Sequence, residues 1–148
     1  MPKPIIRIVL GVIIAFSLVV LVSGCAKKPE IDVSEVRAYA DPITENALLA
    51  MNENDYAKFS EHFDETMKKA MPEAVFNQAI PAIKAKIGDY VSKDFWKVEK
   101  KGAYTIVYYK AKYTEEPADV IVTVSFQEIE GEMYISGLLL NSPKLREK

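Results

Sequence analysis

The hydrophobic period of the chain changes twice along its length. Ile8 to Val22 is an almost unbroken apolar run, led by Lys3 and Arg7. From Val33 to Ile87 the apolar residues step by three or four, the spacing that gives a helix one buried face. From Tyr90 to Leu140 they alternate, as in strands with one face covered.

In the helical part, Asp32 or Ser34 is placed to cap a first helix carrying Val33, Val36 and Ala40, which Asp41-Pro42 kinks or restarts and Ala47, Leu48 and Met51 continue. Tyr56, Phe59, Phe63, Met67 and Ala70 predict one second helix, capped by Asn54 or Asp55. Pro72 closes that helix and opens a third, with Phe76, Ile80, Ile83 and Ile87 on one face, a kink or short break at Pro81, and Gly88 as the C-terminal cap.

Four strands follow: Tyr90 to Glu99, Tyr104 to Tyr113, Asp119 to Ile129 and Met133 to Leu140, with turns at Lys101-Gly102, Glu115-Glu116-Pro117 and Glu130-Gly131. A two-residue turn at Glu130-Gly131 pairs Ile129 with Glu132, Phe126 with Ile135, Val124 with Gly137 and Val122 with Leu139. The core face is then Val122, Val124, Phe126, Ile135 and Leu139, with a gap at Gly137. A slip of one residue would exchange the two faces. Helices first and a meander second predict an α+β domain, its N-terminal helices packed on one face of a curved four-stranded antiparallel sheet.

The first apolar run has another meaning. A positive start, an apolar stretch shorter than the roughly 20 residues of a span, and small residues before Cys25 have the order of a signal peptide. Val22-Ser23-Gly24-Cys25 resembles the lipobox of bacterial lipoproteins, shared by some archaeal ones. That resemblance implies a lipid on the Cys25 thiol, cleavage between Gly24 and Cys25, and a lipid-anchored domain on the extracytoplasmic side of the cell membrane. An uncleaved transmembrane helix and a plain secreted protein are the alternatives. The expected organisation is a leader over 1–24, a lipidated Cys25 with a polar tether over 25–32, and one α+β domain over 33–148. Cys25 is the only cysteine of the 148 residues, so an intramolecular disulfide is excluded.

Charge narrows the partners. Without Lys3 and Arg7 the chain holds 17 basic and 21 acidic residues, a net of −4. No basic stripe is present, so no nucleic-acid partner is expected.

Further residues resemble a family. Asp55-Tyr56-Ala57-Lys58-Phe59-Ser60, Gly88, Tyr108-Tyr109-Lys110-Ala111-Lys112-Tyr113 and the Val120 to Phe126 alternation are similar to a group of bacterial and archaeal lipoproteins. That group is classed as a domain of unknown function in the nuclear-transport-factor-2-like, cystatin-like superfamily. The resemblance implies the fold and no particular activity. Sheet-to-sheet dimers are common in that superfamily, and a homodimer is one expected partner.

Candidate chemistry is sparse. His62, the only histidine, falls beside the apolar face of the second predicted helix and reads as a surface or boundary residue. Tyr104, Tyr108, Tyr109, Tyr113 and Tyr134 fall in strands. Isomerases of the superfamily use a carboxylate base and a tyrosine donor, but here Asp89, Asp94 and Asp119 read as turn or edge residues. Trp96 with Phe95 reads first as core and second as a ligand platform. Ile106 and Tyr108 lie on one face of their strand, Val107 and Tyr109 on the other, so one apolar face is left for a partner. Trp96, Tyr108, Tyr109 and Tyr113 are therefore the candidate ligand or interface residues. No catalytic residue, cofactor or metal ligand is indicated. The expected role is a tethered, non-catalytic module for a small apolar ligand or an envelope protein, with a small isomerase or lyase as the alternative.

Overall fold

A computed structural model describes residues 30–148. The leader, Cys25 and most of the tether lie outside the described residues. The elements are α1 (Val33–Glu53), α2 (Tyr56–Phe59), α3 (Glu65–Ala70), α4 (Glu73–Ile87), β1 (Tyr90–Lys101), β2 (Tyr104–Tyr113), β3 (Glu116–Ile129), β4 (Glu132–Asn141) and α5 (Pro143–Arg146). The strands pair antiparallel in the order β1-β2-β3-β4. This is the expected α+β arrangement, with helices covering one sheet face.

Asp32 caps α1 by accepting from the backbone N–H of Ser34 and Glu35. The helix neither restarts nor ends at Pro42. Val36 and Ala40 before it and Thr44, Ala47 and Leu48 after it are buried on one stripe, and that packing outweighs one missing backbone donor. The same holds at Pro81, which α4 passes between the buried Phe76, Ile80 and Ile87.

The second predicted helix is two. Asp64 starts α3 by accepting from Met67 N–H at 2.7 Å. Between α2 and α3 the chain pairs with β4: Asp64 N–H donates to the Ile135 carbonyl at 3.0 Å, and Ile135 N–H to the His62 carbonyl at 2.6 Å. This short parallel bridge covers part of the β4 edge. The helical spacing of Phe59, Phe63 and Met67 was real, but a cap at Asp64 and a free strand edge competed for the same backbone. His62 thus lies in a turn rather than mid-helix.

The β3–β4 hairpin pairs Ile129 with Glu132 and Phe126 with Ile135, as the two-residue turn predicts. A bulge then inserts Ser136, so Ser125 faces Gly137, Val124 faces Leu138, Thr123 faces Leu139 and Val122 faces Leu140. The expected pairs Val124–Gly137 and Val122–Leu139 do not form. Ser136 is held out of the ladder by donating its hydroxyl to Asp64. Leu138 and Leu140 therefore take the helix face and Leu139 is 61% exposed. Gly137 lies over Ser125 instead of leaving a gap in the core.

The third strand also starts earlier than expected. Glu116 opens β3, and the turn before it is tied to the α4–β1 junction by Glu115 N–H to the Ile87 carbonyl and Thr114 N–H to the Asp89 carbonyl, both 2.9 Å. Gly88 has φ +77, and a Cβ there would lie 2.0 Å from Thr114 Oγ1, so both backbone and space require glycine.

The core joins Leu48, Phe59, Phe63, Phe76, Ile80 and Ile87 to Val107, Tyr109, Val122, Val124, Phe126 and Ile135. Its members and the residues packed against them run from Ile31 to Leu145, so residues 30–148 carry a core of their own. Among the described residues no helix is long and apolar enough to cross a membrane.

Candidate functional site

Two cavities lie towards opposite ends of α1. Tyr39 lines the first and Met51 the second, and twelve residues of helix separate them by roughly 18 Å. The first, of about 240 Å³, adjoins the start of the described chain. Its wall mixes Asp32, Glu35, Glu128 and Lys100 with Tyr39 and Thr105. Burial raises the Tyr39 hydroxyl above its ordinary range, a bond with Thr105 opposes this, and the charges of Glu35 and Glu128 add to it.

The second cavity, of about 230 Å³, is apolar throughout its side-chain wall. The bulge at Ser136 creates one side of it, by turning Leu138 and Leu140 towards the helices. Met51 comes from the last turn of α1, Phe59 from α2, and Met67 and Met71 from α3 and its cap. Ile80 and Ile83 of α4 face them, and Leu145 of α5 completes the rim. Three methionines give this wall a flexible, polarizable surface that can adapt to its contents.

Helix α5 owes its place to Glu116. That side chain is buried, and it accepts from Lys144 N–H at 3.0 Å and Ala118 N–H at 3.3 Å. Burial alone would raise its carboxyl, but the Ser142 hydroxyl and these two N–H groups outweigh it and hold the carboxyl below its ordinary range.

Between α1 and the sheet runs a polar seam that the sequence did not reveal. Arg37, Asp41, Thr44 and Glu45 share one face of α1. Asp41 accepts from Arg37 Nε on one oxygen and from the Tyr109 hydroxyl on the other, each at 3.0 Å. Glu45 accepts from the Tyr90 hydroxyl at 2.7 Å and from Lys93 Nζ at 2.6 Å. Burial would raise Glu45, yet the bonds from Lys93 and Tyr90 bring it below its ordinary range. Burial, reinforced by the Asp41 charge, pushes Tyr109 far up, so its hydroxyl remains a donor. Neither cavity has Tyr109 or Tyr113 in its wall. Asp41 read from sequence as a cap beside Pro42; only its position one turn from Arg37 hinted at pairing.

The four candidate ligand residues divide into two pairs. Tyr109 and Tyr113 are buried against the helices. Trp96 and Tyr108 lie on the open face, rings 6.3 Å apart and edge to face. Trp96 is 47% exposed, because a bulge between Phe95 and Lys97 turns it out; Phe95 stays partly buried against the core, so the core reading holds for Phe95 and fails for Trp96. Lys97 Nζ lies 4.3 Å from the Tyr108 ring centre and Lys110 Nζ 5.1 Å from that of Trp96, so the chain's own cations cover these rings. Among the described residues no group of three His, Cys, Asp or Glu side chains is placed to hold a metal ion.

Comparison with known proteins adds a family. No curated protein matches the chain. It is similar to a crystal structure from Sinorhizobium meliloti described as a "putative polyketide cyclase", with 20% identity, 68% of this chain and 94% of that chain covered, and a TM-score of 0.41. Residues 45–138 match the profile of the family described as "Protein of unknown function (DUF3887)", and over that span, most of the α+β domain, the chain belongs to this family.

Proposed function

We propose that the protein is a membrane-anchored extracytoplasmic lipoprotein whose α+β domain binds a small apolar ligand without catalysis. The observation that carries the reading is the cavity between the five helices and β4, which has no polar side chain in its wall. Such a wall gives up nothing when an apolar group displaces water, and it has no means of activating a substrate. The anchor rests on the leader over 1–24 and on Cys25. Two acyl chains on that residue would hold the domain at the surface.

The test uses a chain starting at Ala26 and the neutral dye Nile red. Dye fluorescence should rise on binding, and Ile83→Trp, which fills the cavity, should abolish the rise while circular dichroism is unchanged. Dye binding that persists in that variant overturns the assignment. For the anchor, labelled fatty acid should enter the full chain in cells and be lost in Cys25→Ser.

One observation favours a second reading. Tyr109 and Asp41 form the phenol–carboxylate pair that an isomerase or lyase would use. In the structure, though, both carboxylate oxygens are engaged, and while Asp41 lines an open depression on α1 the phenol is fully buried, so a substrate reaching both groups would need α1 to move away from the sheet. Turnover of a ketone or enol substrate that disappears in Asp41→Asn would establish the enzyme.

A further inference from the structure

Helices α3, α4 and α5, beside the apolar cavity, carry a net charge opposite to that of the domain as a whole. Lys3, Arg7, Lys27 and Lys28 precede Glu30, so residues 30–148 hold 15 of the 19 basic side chains and all 21 acidic ones, a net of −6. Yet three of the five helices that line the cavity, α3, α4 and α5, carry Lys68, Lys69, Lys84, Lys86, Lys144 and Arg146 against only Glu65 and Glu73, while Glu53 of α1 and Lys58 of α2 pair with each other. Lys68 pairs with Glu65 and Lys84 with Asp89, while Lys86 donates to the Glu147 carbonyl, Lys144 to the Glu115 carbonyl and Arg146 to Asn141 Oδ1. Lys69, Lys86 and Arg146 make no ion pair among the described residues.

We infer that this cavity takes the alkyl end of a single-chain anionic amphiphile, with the head held outside on the cationic helices; the inference rests on the binding reading above and names its ligand class. The wall dictates the first half. An ionised or hydroxylated group inside would lose water and find no side-chain partner, so only hydrocarbon enters. Size dictates the second. A cavity of about 150 Å³ holds a benzene ring, so about 230 Å³ accommodates roughly eight to ten carbons. That is one chain, too little for a two-chain lipid. Charge complementarity selects an anionic head, carboxylate or phosphate, over a neutral or cationic one. The cavity lies at the Met51 end of α1, roughly 18 Å from the polar cavity at Tyr39.

The test titrates the chain starting at Ala26 with decanoate, decanol and decyltrimethylammonium by calorimetry at low salt, each below its aggregation threshold. Decanoate should bind about tenfold more tightly than decanol, decyltrimethylammonium more weakly than either, and the preference should shrink as salt is raised. The double reversal Lys69→Glu with Arg146→Glu, both on exposed residues, should cancel the preference and leave decanol binding unchanged. Ile83→Trp, or Leu138→Trp should the first not fold, should remove all three. Equal affinity for the three probes overturns the anionic-head inference and leaves the binding module standing. No binding of any probe by the folded protein overturns both. Sedimentation with phosphatidylglycerol vesicles that survives the cavity-filling variant, without decanoate binding, assigns the cationic helices to a bilayer surface and overturns the proposal.

Discussion

The Tyr109 hydroxyl donates to Oδ1 of Asp41 at 3.0 Å, joining the middle of β2 to the first half of α1 across 68 residues of sequence. Nothing local requires this bond. It exists because Asp41 and Tyr109 each occupy the face their element buries, and because Arg37 holds the carboxylate from the solvent side.

Replacing Tyr109 by Phe removes the donor and leaves the packing. The expected cost is about 1 kcal/mol, a typical net value for one intramolecular hydrogen bond. Urea unfolding would measure it. Asp41→Asn in the Tyr109→Phe background should cost less than it does alone, since the two side chains share one interaction.

Tyr113 should respond with the opposite sign. Its hydroxyl is buried and has no hydrogen-bond partner among the described residues, and burial raises it well above its ordinary range. Tyr113→Phe removes an unmet polar group, so it should stabilise the fold by about 1 kcal/mol. A loss of stability would reveal an ordered water or ligand atom on that hydroxyl.

Gly88→Ala should be severely destabilising, by about 3 kcal/mol or more, because a positive φ and a close approach coincide there. Gly137→Ala is the control. Its Cβ would meet Ser125 at an ordinary 3.6 Å, and melting temperature should barely change.

Acid should loosen the C-terminal turn. The Glu116 carboxyl lies lower in the folded chain than its ordinary 4.5, so its contribution to stability is complete above that pH and is lost as pH falls through the folded value. Protection of the Lys144 and Leu145 amides against hydrogen exchange, relative to the intrinsic rate, should therefore fall below about pH 4.5. In Glu116→Gln the same amides should exchange faster at neutral pH and lose that acid dependence.

Whatever depends on neighbours along the chain was legible in the sequence. The helical spacing of Phe76, Ile80, Ile83 and Ile87, the cap at Asp32, Gly88 at the end of α4, the alternation from Val120 to Phe126 and the turn at Glu130-Gly131 follow from local geometry, and together they prescribe helices on one face of a four-stranded meander. Tertiary structure decided what depended on partners far away. Asp64 and Ile135 broke a periodic helix in two, because cap and strand edge satisfied more backbone than another helical turn would. Ser136 bonded to that same Asp64, and the resulting bulge moved Leu138 and Leu140 inward and Leu139 outward. The apolar cavity is a consequence of that bulge. Periodicity gives each residue a face only while the register is regular; one residue added to one strand reverses the faces beyond it, and the bond that adds it joins positions 72 residues apart.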